Sequence, residues 1–233
     1  MNHPQLPLGL ALRDSARFDS FFSGQNREAV ASLQAAARGE GEFLIYIAAP
    51  AGLGKTHLLQ AACHAAGECR RTAGYLPLGE LRHAAAAMFE GLEQLELVCL
   101  DDVDAIAGDP VWEHALFDLF NRLRDAGRTL LVTASLRPDE AGFALPDLVS
   151  RLGWGVSYML KPLQEPDIMA ALGYRARGRG LELPVETAQF LLRRFPRDLP
   201  TLFSLFDTLD LASLVEQRRL TIPFVKSVLD NNP

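Results

Sequence analysis

At 233 residues the chain can hold one large domain, or a large one with a small one attached. An apolar share of 48% suffices for a full core, and 22% charged residues gives no sign of disorder. A net charge of −6 makes the surface as a whole a poor one for DNA, so DNA is expected to be reached through a partner. Cys63, Cys69 and Cys99 form no Cys-x-x-Cys pair and no zinc spacing with the scattered histidines. Cys99, inside an apolar run, reads as a small core residue. The N-terminus lacks the basic start and apolar stretch of a signal peptide, and no apolar run reaches the ~18 residues of a membrane span. The expectation is a reduced, cytoplasmic protein with no membrane contact.

Residues 1–15, rich in Pro and Gly, read as an extended arm. Phe18-Asp19-Ser20-Phe21-Phe22 then leads into an alanine-rich helix over Arg27–Arg38. Phe43–Ala48 is a continuous apolar run, as in a strand buried on both faces. A Gly-rich turn and a helix over Lys55–Gly67 follow, then strands over Ala73–Pro77 and Leu95–Leu100, the latter ended by acids. Leu116, Leu119, Phe120 and Leu123 give a helix over Trp112–Ala126 one buried face. Strands over Thr129–Thr133 and Val156–Leu160 flank a short helix around Pro146–Leu152. This alternation predicts an α/β core, 16–163, built on a five-stranded parallel sheet with right-handed crossovers. From Glu165 helical stretches follow one another (166–179, 185–194, 199–216, 222–230), which predicts a small all-helical lid over 164–233.

The chemistry gathers after the first strand. Ala49-Pro50-Ala51-Gly52-Leu53-Gly54-Lys55-Thr56 is a P-loop, Gly-x-x-x-x-Gly-Lys-Ser/Thr, with Ala49 in place of its first Gly. Gly52 and Gly54 let the backbone N–H groups turn toward a β-phosphate at a helix N-terminus. Lys55 would face the outer phosphates, and the Thr56 hydroxyl would ligate Mg²⁺. Asp101, at the end of an apolar strand, is placed to hold Mg²⁺ through water, and Asp102 to orient a hydrolytic water. Thr133 and Ser135, after the fourth strand, lie where a polar group would meet a γ-phosphate; Ser and Thr also end strands for no such reason. Arg151 and Arg197, taken alone, read as surface salt-bridge residues.

Read together, Gly52-Leu53-Gly54-Lys55-Thr56-His57-Leu58-Leu59, Asp101-Asp102, Ser150-Arg151-Leu152-Gly153-Trp154-Gly155 and the helical tail resemble the AAA+ region of the replication initiator DnaA, over nearly all the chain after residue 17. Neither the initiator's helicase-interaction domain nor its helix-turn-helix domain is expected in this sequence. Val98-Cys99-Leu100-Asp101, Ile106-Ala107-Gly108-Asp109 with Trp112-Glu113, and Leu220–Lys226 look more like the Hda family of DnaA-like regulatory inactivators. That resemblance implies ADP or ATP with Mg²⁺, bound by Pro50, Ala51, Gly52, Leu53, Gly54, Lys55, Thr56, His57, Asp101, Ser135 and Arg197, the last reading the γ-phosphate from the lid. Arg151 becomes an arginine finger offered to a neighbour's nucleotide. Phe18, Phe21 and Phe22 are assigned either to the adenine end or to the core. Gln5, Leu6, Leu8 and Leu10 resemble the motif that docks onto the sliding clamp, the beta subunit of DNA polymerase III.

The function so implied is negative regulation of replication initiation. Docked on the clamp, and so on DNA indirectly, the protein would make DnaA hydrolyse its ATP, with weak or no turnover of its own. A homo-oligomer is left open. The competing expectation is an autonomous AAA+ ATPase such as a DnaC-type helicase loader.

Overall fold

The computed structural model describes residues 12–196, 199–216 and 219–231. The chain divides into two compact units, one built on Asn26–Lys161 with the segment up to Phe21, the other on Pro162–Pro233 with Phe22–Gln25.

The first unit begins with α1 (Arg27–Ala37), β1 (Leu44–Ala48), α2 (Lys55–Glu68), β2 (Ala73–Pro77) and the one-turn α3 (Leu78–Leu81). It continues with β3 (Leu97–Asp101), α4 (Pro110–Asp125), β4 (Thr129–Ala134), α5 (Pro146–Leu152) and β5 (Val156–Met159). The five strands form one sheet in the order β2-β3-β4-β1-β5, and every pairing is parallel. The apolar runs of β1, β3 and β4 are buried at every residue, as strands covered on both faces must be. The edge strand β5 alternates between half-buried and exposed residues. β3 starts at Leu97, two residues later than the apolar run suggests, and keeps Asp101 as its last residue.

Side-chain alternation divides β1 between the two layers. Leu44, Tyr46 and Ala48 pack with Leu116, Leu119, Phe120 and Leu123 of α4 and Leu148 and Leu152 of α5. Ile45 and Ile47 pack with Val30 and Leu33 of α1 and Leu58, Leu59 and Cys63 of α2. Cys99 is buried in that second layer, as its apolar run predicts.

α4 starts at Pro110, two residues earlier than the apolar spacing indicates. Asp109 caps it, accepting from the Val111 and Trp112 N–H groups, and Pro at the first position has no N–H to satisfy. One turn in, Glu113 is 1% exposed. Its carboxylate accepts from the Gly108 N–H (2.6 Å), the Ala144 N–H (3.0 Å) and the Leu145 N–H (2.7 Å). It thereby ties the loop after β3 to the residues that launch α5. Glu113→Ala would leave three N–H donors without that acceptor, at about 1–3 kcal/mol each. Urea unfolding is expected to record a loss of at least ~3 kcal/mol; a loss below ~1 kcal/mol would mean the carboxylate holds nothing.

Two boundaries differ from those read in the sequence. Leu12 packs on the α1/α2 layer, the Arg13 N–H donates to Gln60 Oε1 (3.2 Å), and Ala16 is buried. The chain is therefore packed on the core from Leu12, within the arm expected over 1–15. Phe22–Gln25 joins the second unit. There Gly24, at φ +49°, lies so close to Leu163 that a Cβ would come within 2.5 Å of its Cδ2.

The second unit is helical: α6 (Glu165–Gly178), α7 (Val185–Arg194), α8 (Leu199–Glu216) and α9 (Ile222–Asn231). Leu191, Phe206, Leu209, Phe224 and Val225 form its core. Arg175 of α6 and Arg179, which caps its C-terminus, pair with Asp207 of α8, and Arg179 also with Asp210. Among the described residues no helix is long and apolar enough to cross a membrane.

Candidate functional site

Because β3, β4 and β1 are neighbours and parallel, their C-terminal ends bring Asp101, Thr133 and the turn after Ala48 together. That turn rests on two left-handed glycines, Gly52 at φ +85° and Gly54 at φ +90°. Gly54 is also the cap of α2, and a Cβ there would meet Phe21 Cε2 at 2.7 Å. Only glycine satisfies both the dihedral and the space. Ala49 has no positive φ, is fully buried, and donates its N–H to the Ala134 carbonyl at 3.0 Å. The position usually held by the first P-loop glycine thus needs no special backbone in this chain.

Lys55 is the first residue of α2 and is 7% exposed. Its ammonium donates to the Ala49 carbonyl (2.8 Å) and lies 3.5 Å from Asp102 Oδ1. The Thr56 hydroxyl donates to Asp101 Oδ2 (2.7 Å). The Tyr75 hydroxyl, from β2, donates to the same oxygen (2.7 Å), and Thr133 donates to Oδ1. Asp101 is 2% exposed, so three hydroxyls hold its carboxylate in one orientation. The neighbouring negative charge and burial push the Tyr75 phenol upward, burial contributing most; the hydroxyl stays a donor at any ordinary pH.

Asp102 takes a left-handed backbone, φ +54°, rare for a non-glycine residue. Its N–H donates to Thr133 Oγ1 (2.9 Å). Partial burial first, then the adjacent Asp101 charge, hold its carboxyl above the usual range, with Lys55 acting against them. Ser135 is exposed, and its N–H donates to Asp104 Oδ2 (3.0 Å). Of the two polar residues, it is Thr133, inside β4, that joins Asp101, while Ser135 follows the strand.

The His57 ring faces away from this cluster. Its Nε2 bonds the Arg17 carbonyl (2.8 Å) and the ring packs beside Phe21 at 5.5 Å, which leaves its backbone N–H as the group available at the helix N-terminus. Burial lowers its pKa. Phe18 and Phe21 pack on the α1/α2 layer. Arg151 sits in the last turn of α5, with its guanidinium 4.0 Å from the centre of the Trp154 ring. Arg197 and the four residues Gln5, Leu6, Leu8 and Leu10 lie outside the described residues. Tyr75 escaped the sequence reading; the only signal for it was its place on the strand beside Asp101.

The site has the donors for a phosphate chain and its cation: N–H groups at a helix start, one ammonium, and a hydroxyl facing a fixed carboxylate. Among the described residues no cluster of three or more His, Cys, Asp or Glu could hold a metal alone, so a cation here would share its shell with phosphate oxygens or water. Fold and site together define a P-loop protein of AAA+ architecture. Domain III of the Thermotoga maritima replication initiation protein DnaA superposes with a TM-score of 0.81 at 22% identity, covering 96% of this chain and 100% of that one. DnaA from Aquifex aeolicus, bound to AMPPCP, gives 0.77 at 22% identity, covering 86% of this chain and 66% of that one. A Thermotoga maritima RuvB variant gives 0.71 at 19% identity, over 92% and 71%. Residues 165–229 match the family model described as Hda, lid domain. The chain accordingly has the AAA+ fold seen in these structures, a five-stranded α/β core followed by a helical lid that matches the Hda lid model.

Proposed function

We propose that this protein is a DnaA-related regulator of replication initiation: it binds ADP or ATP with Mg²⁺, docks on the sliding clamp, and promotes hydrolysis of ATP held by DnaA. The observation that carries this reading is Arg151. It is a half-exposed arginine stacked on an exposed tryptophan, and it forms no ion pair among the described residues. A guanidinium in that condition can stabilise charge on a phosphoryl group that another molecule brings. The Hda-type lid supports the choice of partner, and the AMPPCP on the Aquifex protein supports adenine nucleotide.

In this reading Lys55 and the N–H groups of Gly52–His57 bind the phosphates, Thr56 and Asp101 hold Mg²⁺, and Ser135 and Arg197 complete the nucleotide site. Mg²⁺ would screen phosphate charge there. Tyr75 and Thr133 keep the Asp101 carboxylate aimed. Asp102 is a candidate for ordering water. The core ends, and the lid begins, near residue 163. The test is decay of DnaA–ATP with this protein, loaded clamp and DNA, each omitted in turn. Stimulation that needs all three is expected; steady turnover by the purified protein alone would instead favour an autonomous ATPase of the helicase-loader type. That second reading draws on the complete Lys55, Thr56 and Asp101 set.

Clamp docking is assigned to Gln5, Leu6, Leu8 and Leu10, a polar hook and apolar anchors for a pocket on a ring protein. Gln5→Ala with Leu6→Ala is expected to abolish clamp capture in a pull-down. Melting temperature and ADP affinity should stay at wild type, because Lys55, Thr56 and Asp101, which are assigned to the nucleotide, are held by partners within the core. Undiminished capture by the double variant would remove the clamp from the scheme.

A further inference from the structure

Trp154 is unusual for its size: it is 57% exposed, whereas Trp112, the only other tryptophan, is 4% exposed. An exposed indole needs a reason, since burial is where its apolar area stabilises most. One edge of it is anchored. The ring meets the fully buried Phe120 edge-on, at 6.1 Å and 79°. The rest carries cations. The Arg151 guanidinium lies 4.0 Å from the ring centre and 5.9 Å from that of Phe117, and Arg124, in the last turn of α4, lies 5.7 Å from the Trp154 ring.

The two arginines are not equivalent. Arg124 also pairs with Asp125 at 3.2 Å, whereas Arg151 has no carboxylate partner among the described residues. The distinction matters chemically. A carboxylate would hold Arg151 by occupying its N–H fork and neutralising it. An aromatic face attracts the cation through the ring quadrupole while leaving its charge, and the outward N–H donors, unspent. Indole is the strongest such face among the side chains.

We propose that Trp154 is a positioning residue for the reaction in trans. Its ring holds the Arg151 guanidinium in place and charged, so that the arginine meets a neighbour's triphosphate without first breaking an ion pair. This rests on the role given to Arg151 above. Glu113 contributes from behind, since its carboxylate fixes the backbone at the start of the helix that carries Arg151.

The test compares Trp154→Leu and Trp154→Phe with Arg151→Ala in the DnaA–ATP assay with loaded clamp. Leu keeps apolar bulk without a π face; Phe keeps a weaker one. Trp154→Leu is expected to lose stimulation about tenfold and Trp154→Phe no more than about threefold, a span consistent with cation–π strengths. ADP affinity should be unchanged in both. If Leu matches wild type while Arg151→Ala is inactive, Trp154 positions nothing and the reading of Arg151 stands. Equal losses in Leu and Phe would make the role packing and overturn the proposal. Wild-type activity of Arg151→Ala would overturn the function itself, a separate outcome. A second measurement leaves Trp154 intact. With Trp112→Phe, Trp154 is the sole indole, and Arg151→Ala should uncover its face and raise quenching by neutral acrylamide. Unchanged quenching would rule out the stack.

Discussion

Replacing Arg151 with Ala is expected to abolish stimulation of DnaA-bound ATP hydrolysis while folding, ADP binding and clamp capture persist. As phosphoryl transfer proceeds, negative charge spreads over the γ-phosphate oxygens, and a guanidinium delivered from outside the site stabilises it there. Fingers of this kind are worth about 10³–10⁵ in GTPases, but a partner that already hydrolyses slowly leaves less to gain, so the expected loss is on the order of ten- to a hundredfold. Arg151→Lys should fail nearly as badly. An ammonium is a compact point charge without the planar fork, and it lies less well on an indole. Folding should survive either change, since the side chain is half-exposed and lies against the rings of Phe117 and Trp154. Equal DnaA–ATP decay with wild-type and variant protein would end the in-trans mechanism.

The second large effect is expected at Lys55. Its ammonium is nearly buried at the start of α2, within reach of the carbonyl of Ala49 and the carboxylate of Asp102. Charge-assisted hydrogen bonds to phosphate are worth about 1.5–3 kcal/mol each, and about 1.4 kcal/mol is a factor of ten in affinity. Lys55→Ala should therefore weaken ADP binding at least about tenfold by calorimetry. A folded variant with unchanged ADP affinity would remove the phosphate-binding role from the loop.

The core was readable wherever one local rule decided the outcome. β1, β3 and β4 are runs of apolar residues because both of their faces are covered, and a run of that kind needs no knowledge of its neighbours. The P-loop was readable because Gly52, Gly54, Lys55 and Thr56 are fixed by backbone geometry and phosphate chemistry at a set spacing. Tyr75 was not. Its hydroxyl reaches Asp101 only because β2 pairs with β3 in one register, and register is a property of two strands. The same limit hid the packing of Phe22–Gln25 with a unit that begins some 140 residues later, at Pro162. Trp154 stands in a legible stretch, Ser150–Gly155, but its stack with Arg151 depends on how α5 turns into β5.

One further feature lies at the opposite end of the strands from Asp101. The Arg71 guanidinium, just before β2, donates to the carbonyls of Ala36 and Ala37 at the end of α1 and of Glu96 ahead of β3. It joins three segments at the sheet's N-terminal rim, as Thr133 and Tyr75 join three at the other rim. The strands thus separate two kinds of consequence. In a library of random variants, damage at the Arg71 rim should surface as poor yield and protease sensitivity. Damage at the Asp101 rim should surface in well-expressed protein that has lost its ligand. Sorting variants by soluble yield before any binding screen would then recover the division between the rims from phenotypes alone.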